Sequence, residues 1–377
     1  MSPAPHYDVI IAGAGPAGSA CATLLAREGL SILLIDKSKF PRDKICGDCI
    51  NPASWKYFDL LGVSEAFRRL DLRIIESIRI TNLSGKEIVI KALTNSARPF
   101  FAIRRSILDN LLLQNAMREG SEFLEETTFL DANLEDAWHV LVRHNNGIES
   151  YRCDYLVGAD GRNSTVANKI GAWSRSKPSV VSQKRIGIQW HSDFQSGIGS
   201  EVRLYTMKDG YFGIVNVDDQ NSNIAMVTNP NVARKALDNF TEFIEESIFS
   251  NPTTRRYAKH LEPHNEVVMT FPINPVRRYW RKSKSFLAGD ARQTVEPFTG
   301  EGVSFALEDG IRTARQILGS YQERVPSFTQ PQGNFWVNRV ASPVLRNHKF
   351  AESLVAFVSQ FSWLPRLLAK TVFRSVY

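Results

Sequence analysis

Three glycines near the start of the chain, Gly13, Gly15 and Gly18, follow the spacing G-x-G-x-x-G. Each glycine in that spacing has its own task. The first permits a tight turn, the second lets a pyrophosphate reach the backbone, and the third lets a helix pack closely on a strand. Pro16 and Ala17 sit at the helix start, where unpaired N–H groups and a positive dipole face phosphate. Asp36 follows about 20 residues on, at the end of a second apolar run, where an acid holds a ribose hydroxyl. Lys37 comes next. A glycine turn that merely packs is the rival reading, and the Asp36 spacing speaks against it. These residues point to a bound dinucleotide. Later in the chain, Asp160-Gly161 and Gly289-Asp290 each end an apolar run. Asp160-Gly161 taken alone would also suit an Asx turn. Asp290 can present a carboxylate to hydroxyl groups. Pro297, Gly300 and Gly302 then precede a helix, and the two glycines remove side chains where backbone must meet a ring.

The elements that must place these groups are legible at the N-terminus. Tyr7–Ala12 reads as a buried strand, Pro16–Glu28 as a helix ended by Gly29, and Ser31–Ile35 as a second strand. Phe40 to Pro52 is loop-like. A hairpin is expected from Ile75–Ile80 and Glu87–Ile90 around Ser84-Gly85, and a helix from Arg105 to Glu119. Short strands with a turn at Asn145-Asn146-Gly147 lead to Tyr155-Leu156-Val157. Strand-like runs at Ile186–Trp190, Glu201–Tyr205, Tyr211–Val217 and Ile224–Thr228 indicate an antiparallel sheet, interrupted by one helix from Val232 to Ile248. Ser285–Ala288 is a further strand, Gly302–Leu318 a helix, and the tail beyond Pro326 helical and amphipathic.

Composition excludes whole classes. With 43% hydrophobic and 23% charged residues among 377, the chain is neither disordered nor fibrous. The net charge of +7 suits an anionic cofactor, carrier or membrane surface and selects none of them. No basic block with interleaved aromatics argues for nucleic acid. Cys21, Cys46, Cys49 and Cys153 are too few for a disulfide framework, so a cytoplasmic, reducing location is expected. No apolar run approaches the ~20 residues of a membrane span, and strand-like sequence by Tyr7 leaves no room for a signal peptide. Cys46-x-x-Cys49 spells half a zinc site, but no second cysteine pair exists, and the seven histidines stand in no metal spacing. No metal is expected.

Four segments, taken in order, resemble the flavoprotein monooxygenase and geranylgeranyl reductase superfamily. They are the glycine turn, Arg105-x-x-Leu108-Asp109, Leu156 to Ser164 around Asp160-Gly161, and Phe286 to Ala291 followed by Pro297-Phe298-Thr299-Gly300-Glu301-Gly302. The resemblance implies FAD, with Arg105 near the flavin nucleotide and Asp290 on the ribityl hydroxyls. It implies that Asp160 and Gly161 serve both FAD and a transient nicotinamide. No second G-x-G-x-x-G follows a strand, so NAD(P)H would visit briefly, or a flavin-reducing partner protein would take its place. Phe40 to Asp48 resembles the reductase-like members, in which a cysteine before glycine lies near flavin and substrate. Cys46 is therefore the candidate catalytic thiol, Gly47 a flavin neighbour, and Arg42 a candidate for the phosphates. Two departures stand out. The Tyr-x-Trp-x-Phe-Pro element of geranylgeranyl reductases is replaced by Tyr211 to Val217, and the halogenase Trp-x-Trp-x-Ile-Pro motif is absent.

The resemblance implies an α/β, glutathione-reductase-like fold: an FAD-binding Rossmann domain (1–74, 101–180 and 273–325), an antiparallel-sheet substrate domain (75–100 and 181–272) and a C-terminal helical region (326–377). Trp190, Tyr211 and Phe212 are candidate substrate-lining residues, against the plainer reading that they fill the core. The expected activity is that of an FAD-dependent oxidoreductase on a lipophilic, aromatic or carrier-bound substrate. Oxygenation through a flavin C4a-hydroperoxide ranks ahead of double-bond reduction. A halogenase, a non-redox cyclase and a prenyl-binding escort protein rank below both. The basic, aromatic tail suits a membrane surface or an acyl carrier protein, and a helix that simply covers the sheet domain is the preferred reading.

Overall fold

The computed structural model describes residues 4–93, 97–174, 185–193, 197–248, 253–254, 263, 266–273, 276–295, 297, 300–321, 348–361, 363–366 and 369. The first strand, His6–Ala12, lies between Ile32–Ile35 and the far end of Gly147–Gly158, parallel to both. Val9, Ile10 and Ile11 have no solvent exposure, as a strand covered on both faces requires. The 12-residue strand Gly147–Gly158 has two partners on its other side. Its first half forms a hairpin with Trp138–His144, through Asn145 and Asn146 at positive φ, and its second half runs parallel to Ser285–Leu287. The apolar stretch at Tyr155–Val157 is thus the end of a long strand rather than a short one of its own.

The helix Pro16–Arg27 covers one face of this sheet, with Gly29 at φ +86 turning the chain away. Helix Gly302–Tyr321 crosses it closely. A β-carbon at Gly310 would lie 2.1 Å from the Ala17 carbonyl oxygen, so the two backbones meet where both side chains are minimal.

The second sheet is mixed but mostly antiparallel. Its order runs from Val268–Thr270 through Ile186–Ser192, Ser222–Thr228, Gly210–Asn216 and Glu201–Met207 to the hairpin Ser77–Thr81 and Glu87–Lys91. The hairpin joins by pairing Ser77–Thr81 parallel to Glu201–Met207. One face carries a helix pair, and the other meets the helix His348–Val358. Where the sequence suggests a single helix from Val232 to Ile248, there are two, Pro230–Asp238 and Phe240–Ile248. The break is at Asn239, whose Oδ1 accepts the Glu242 N–H as an N-cap does. The loop from Phe40 is also more ordered than its composition suggests. It ends in a short strand, Cys49–Ile50, paired with Phe101–Ala102. Of the tail, His348–Val358 is a helix, while 322–347 lie outside the described residues. Glu352 fastens that helix to the sheet by accepting from the Leu83 N–H at 2.8 Å and the Thr206 hydroxyl at 2.7 Å. Among the described residues no helix is long and apolar enough to cross a membrane.

Gly310→Ala must push the crossing helices apart, and overpacking of this kind costs about 1–3 kcal/mol. A thermal melt is expected to show a clear fall in Tm; an unchanged melt would show that the crossing is not close-packed.

Candidate active site

The three motif glycines divide their work as the spacing suggests. Gly13 has φ +106, and a β-carbon there would sit 2.3 Å from the Ala159 carbonyl oxygen. One at Gly18 would sit 1.8 Å from the Gly13 oxygen. Both are packing glycines. Gly15 differs, because the nearest heavy atom to its would-be β-carbon is Arg42 Nη2 at 3.6 Å. Gly15 is the N-cap of Pro16–Arg27, with no side-chain cap and no acid in the first turn. The helix therefore opens on unpaired N–H groups beside a guanidinium. Asp36 braces the turn, with Oδ2 accepting the Ala14 N–H and Oδ1 the Ser38 N–H, each at 2.9 Å. A carboxylate oxygen accepts more than one bond, so bracing leaves capacity for a ribose hydroxyl. Lys37 is exposed at the end of the strand.

From Asp36 a chain of charges runs inward. Arg42 lies 3.8 Å from Asp36 and 3.2 Å from Asp109. Asp109 has no solvent exposure and accepts both Nε and Nη2 of Arg105, at 2.8 and 2.7 Å. The Arg105 charge also acts on the Cys46 thiol. Burial pushes the Cys46 thiol above its ordinary range, the Arg105 charge opposing the rise and the Asp48 carboxylate adding to it. Cys46 is held to the second sheet on both sides of its peptide. Its N–H donates to Gln189 Oε1 at 2.8 Å, and its carbonyl accepts from Asn223 Nδ2 at 2.9 Å. Two residues on, Asp48 is fully buried at φ +53, with Oδ2 2.8 Å from His191 Nε2. Lys44 reaches toward Gly161, with its ammonium lowered by burial and by Arg105, while Asp290 opposes the shift. Gly47 is exposed, and nothing lies within 4 Å of its would-be β-carbon.

Arg278 joins the two later motifs. It donates to the carbonyls of Asp290 and Ala291, at 3.2 and 2.8 Å, and to that of Arg162, while the Asp160 and Asp290 carboxylates both act on its charge. Asp160 Oδ2 caps the helix Thr165–Lys169 through the Thr165 and Val166 N–H groups. Its Oδ1 is buried without a hydrogen-bond partner among the described residues. Gly161 and Gly289 have positive φ, and the Gly289 N–H donates to the buried Asp309. Pro297 accepts the Gly300 N–H at 3.3 Å, and Gly300 and Gly302 leave open space at the start of the last long helix of the sheet domain's neighbour, Gly302–Tyr321. Phe298 and Thr299 lie outside the described residues. An open glycine turn, an uncapped helix start, an orphaned acceptor at Asp160 and bare glycines at a second helix start together fit a dinucleotide.

The three aromatic candidates separate by strand parity. Trp190 packs edge-on to Phe240 at 5.1 Å, and Phe212 stacks on Tyr205 at 5.0 Å, in the core under the helix pair. Side chains alternate along a strand, so the loop-facing side of Ile186–Ser192 carries Gly187, Gln189 and His191 instead. The sequence-based placement of Trp190 and Phe212 on the substrate side is corrected accordingly. Tyr211 is on the opposite face from Phe212, against Val227 and Ile273. Ile273 also approaches Gly187, as does Ile45 of the Cys46 loop. Sequence reasoning passed over His191, Gln189 and Asn223. Polar residues at every second position of an otherwise apolar strand were the available signal.

The family described as FAD binding domain matches residues 6–327. The chain is 28% identical over 332 residues to an uncharacterized protein of Methanosarcina barkeri, covering 85% of this chain and 76% of that one. It is 26% identical over 331 residues to the menaquinone reductase of Mycolicibacterium smegmatis, covering 83% and 76%. It is 24% identical over 362 residues to the 1H-pyrrole-2-carbonyl-[peptidyl-carrier protein] brominase of Pseudoalteromonas luteoviolacea, covering 92% and 86%. Among solved structures, a geranylgeranyl bacteriochlorophyll reductase-like protein of Thermoplasma acidophilum superposes with a TM-score of 0.76 at 20% identity, covering 97% and 96%.

Gly15→Ala has room in the fold but places a methyl group where the diphosphate must approach. The expected outcome is an unchanged Tm without nucleotide and an FAD dissociation constant raised on the order of tenfold, about the 1.4 kcal/mol worth of one lost contact. Titration of the apoprotein with FAD measures it, and unchanged affinity would remove the turn from the site.

Proposed function

The chain belongs to the FAD binding domain family, and from that premise we propose that it is an FAD-dependent reductase of carbon–carbon double bonds in a lipophilic substrate of prenyl or quinone type. The observation that carries this reading is the placement of Cys46, on a loop whose peptide is fastened to the second sheet by Gln189 and Asn223. The Mycolicibacterium relative, named a menaquinone reductase, supports a reduction and a quinone-type substrate.

The chain's residues divide the task. The N–H groups of Gly15 and Ala17 and the Arg42 guanidinium would hold the diphosphate, and Asp36 and Asp290 would take sugar and ribityl hydroxyls. Bound FAD, reduced by NAD(P)H or by a donor protein, supplies a hydride. Burial keeps the Cys46 thiol protonated, so Sγ holds the second hydrogen needed to saturate a double bond. Cys46 Sγ would give its proton to one carbon of the double bond, the other carbon receiving the hydride, and would regain a proton from solvent. The Arg105 guanidinium would offset the negative charge left on sulfur. Ile45, Tyr211, Val227 and Ile273 give the neighbouring wall an apolar lining that excludes water. This reading sets reduction ahead of the oxygenation that the sequence ranks first, because oxygenation gives no task to a thiol that burial keeps protonated.

Cys46→Ala is expected to keep FAD and to lower the rate of double-bond reduction on the order of 100-fold, the usual worth of a positioned acid. The test is anaerobic turnover with a quinone or prenyl lipid, followed by mass analysis of the product. A thiol with a raised pKa stays protonated through neutral and mildly alkaline pH, so the wild-type rate holds there and falls only at higher pH. Substrate-dependent oxygen uptake with an oxygenated or halogenated product would sink the reading.

A further inference from the structure

The helix His348–Val358 lies on the side of the second sheet away from the helix pair, and its inner face packs as a cover does. Ala351, Val355 and Val358 fall on one side at helical spacing and are buried, and the two valines pack with Ile88, Ile90 and Val215 of the sheet. Glu352 is the only acid of the helix. It is turned to the sheet, with Oε1 accepting the Leu83 N–H and the Thr206 hydroxyl and Oε2 accepting the Ser84 N–H at 3.4 Å.

The outer face is a different matter. A helix that met only water there would be polar on that side. Instead Phe350 is 52% exposed, Phe357 54%, and Trp363, just past the helix, 59%. These are the three most exposed aromatic side chains among the described residues. Phe350 and Phe357 fall on one side of the helix, and the Phe361 ring links Phe357, at 5.0 Å, to Trp363, at 6.2 Å. The exposed charges of this segment are cations, Lys349 before the aromatics and Arg366 after them. From 346 to 377 the sequence holds Arg346, Lys349, Arg366, Lys370 and Arg374 against Glu352 alone.

We propose that this face docks on an anionic lipid bilayer, with the aromatic rings entering the boundary between headgroups and acyl chains and the cations meeting acidic headgroups. Large rings settle at that boundary, tryptophan above all, and cations flanking them are drawn to a negative surface. The one acid that would be repelled is held by the sheet. A second copy of this chain seated here would instead bring cations against cations. The helix shares its packing with Cys49, so a bilayer held here stands on the same side of the sheet as the Cys46 loop. The proposal goes beyond the reaction in the cleft and does not rest on it.

The experiment co-sediments the FAD-loaded full chain with vesicles of phosphatidylcholine alone, or of phosphatidylcholine mixed with phosphatidylglycerol, at low and at raised salt. Wild type is expected to bind the mixed vesicles about tenfold more strongly, and salt to reduce that difference. A Phe357→Ser, Trp363→Ser double variant is expected to bind the mixed vesicles about tenfold more weakly, because half-exposed rings still have apolar area to bury. Its flavin absorbance and melt are expected to match wild type, since both side chains already face water. Should the double variant lose FAD, Trp363→Ser alone is measured, with a loss of about threefold expected and unchanged binding overturning. A wild type that stays in the supernatant with both vesicles overturns the proposal, even where an acidic carrier protein captures it. Equal binding to the two vesicle types does so too, as does a double variant that binds like wild type. Light scattering without vesicles that shows a dimer abolished in the double variant would assign the face to a second copy, and overturns it as well. No substrate or reductant is present, so failure of the reductase reading would appear in the product assay alone.

Discussion

A carboxylate with no access to water must be paired, because the desolvation of an isolated charge costs several kcal/mol. Asp109 is such a group, and two guanidiniums pair it: Arg105 from its own helix, one turn away, and Arg42 from the loop after the second strand. That requirement ties distant pieces of chain together. Arg42 extends the pairing outward to Asp36 and the glycine turn. Arg105 extends it inward to Cys46. The glycine turn and the loop that carries Cys46 are therefore tied to one buried set of charges. Neither can shift without stranding Asp109.

The second sheet completes the cleft by geometry alone. Its strands alternate side chains between two faces, and the faces have different neighbours. Ile188, Trp190, Phe212 and Ile214 go under the helix pair and supply packing. Gln189, His191 and Asn223 go to the other side, where they meet the backbone and side chain of the Cys46 loop. The loop thus belongs to both sheets. It leaves the first sheet through Arg42 and is fastened to the second through Cys46 and Asp48.

Much of the fold was legible because its physics is local. Tyr7 to Asp36 contains a buried strand, a turn that only glycine can make, a helix and its glycine stop, and each of these depends on residues a few positions apart. The hairpin at Ser84-Gly85 and the strands of the second sheet were visible for the same reason. The helix between Val232 and Ile248 was less so: apolar periodicity continues across Asn239, and only the capping bond of that asparagine shows the break. Trp190 and Phe212 show a different limit. An aromatic on a strand has a face, but which face meets the cleft depends on what packs against the sheet.

The sequence alone determined that this chain carries a dinucleotide turn, that two further acid–glycine junctions follow in order, and that a cysteine precedes a glycine in the loop between them. Those are matters of residue type and short spacing, set by what a turn or a phosphate tolerates. Only the tertiary structure decided that Asp36 braces the turn, that Arg278 joins Asp160 to Asp290, and that His191 stands behind Asp48. These pairings span 12 to 143 positions of chain. Nothing local specifies them, because they arise from the need to satisfy buried polar groups once two sheets have closed on the same loop.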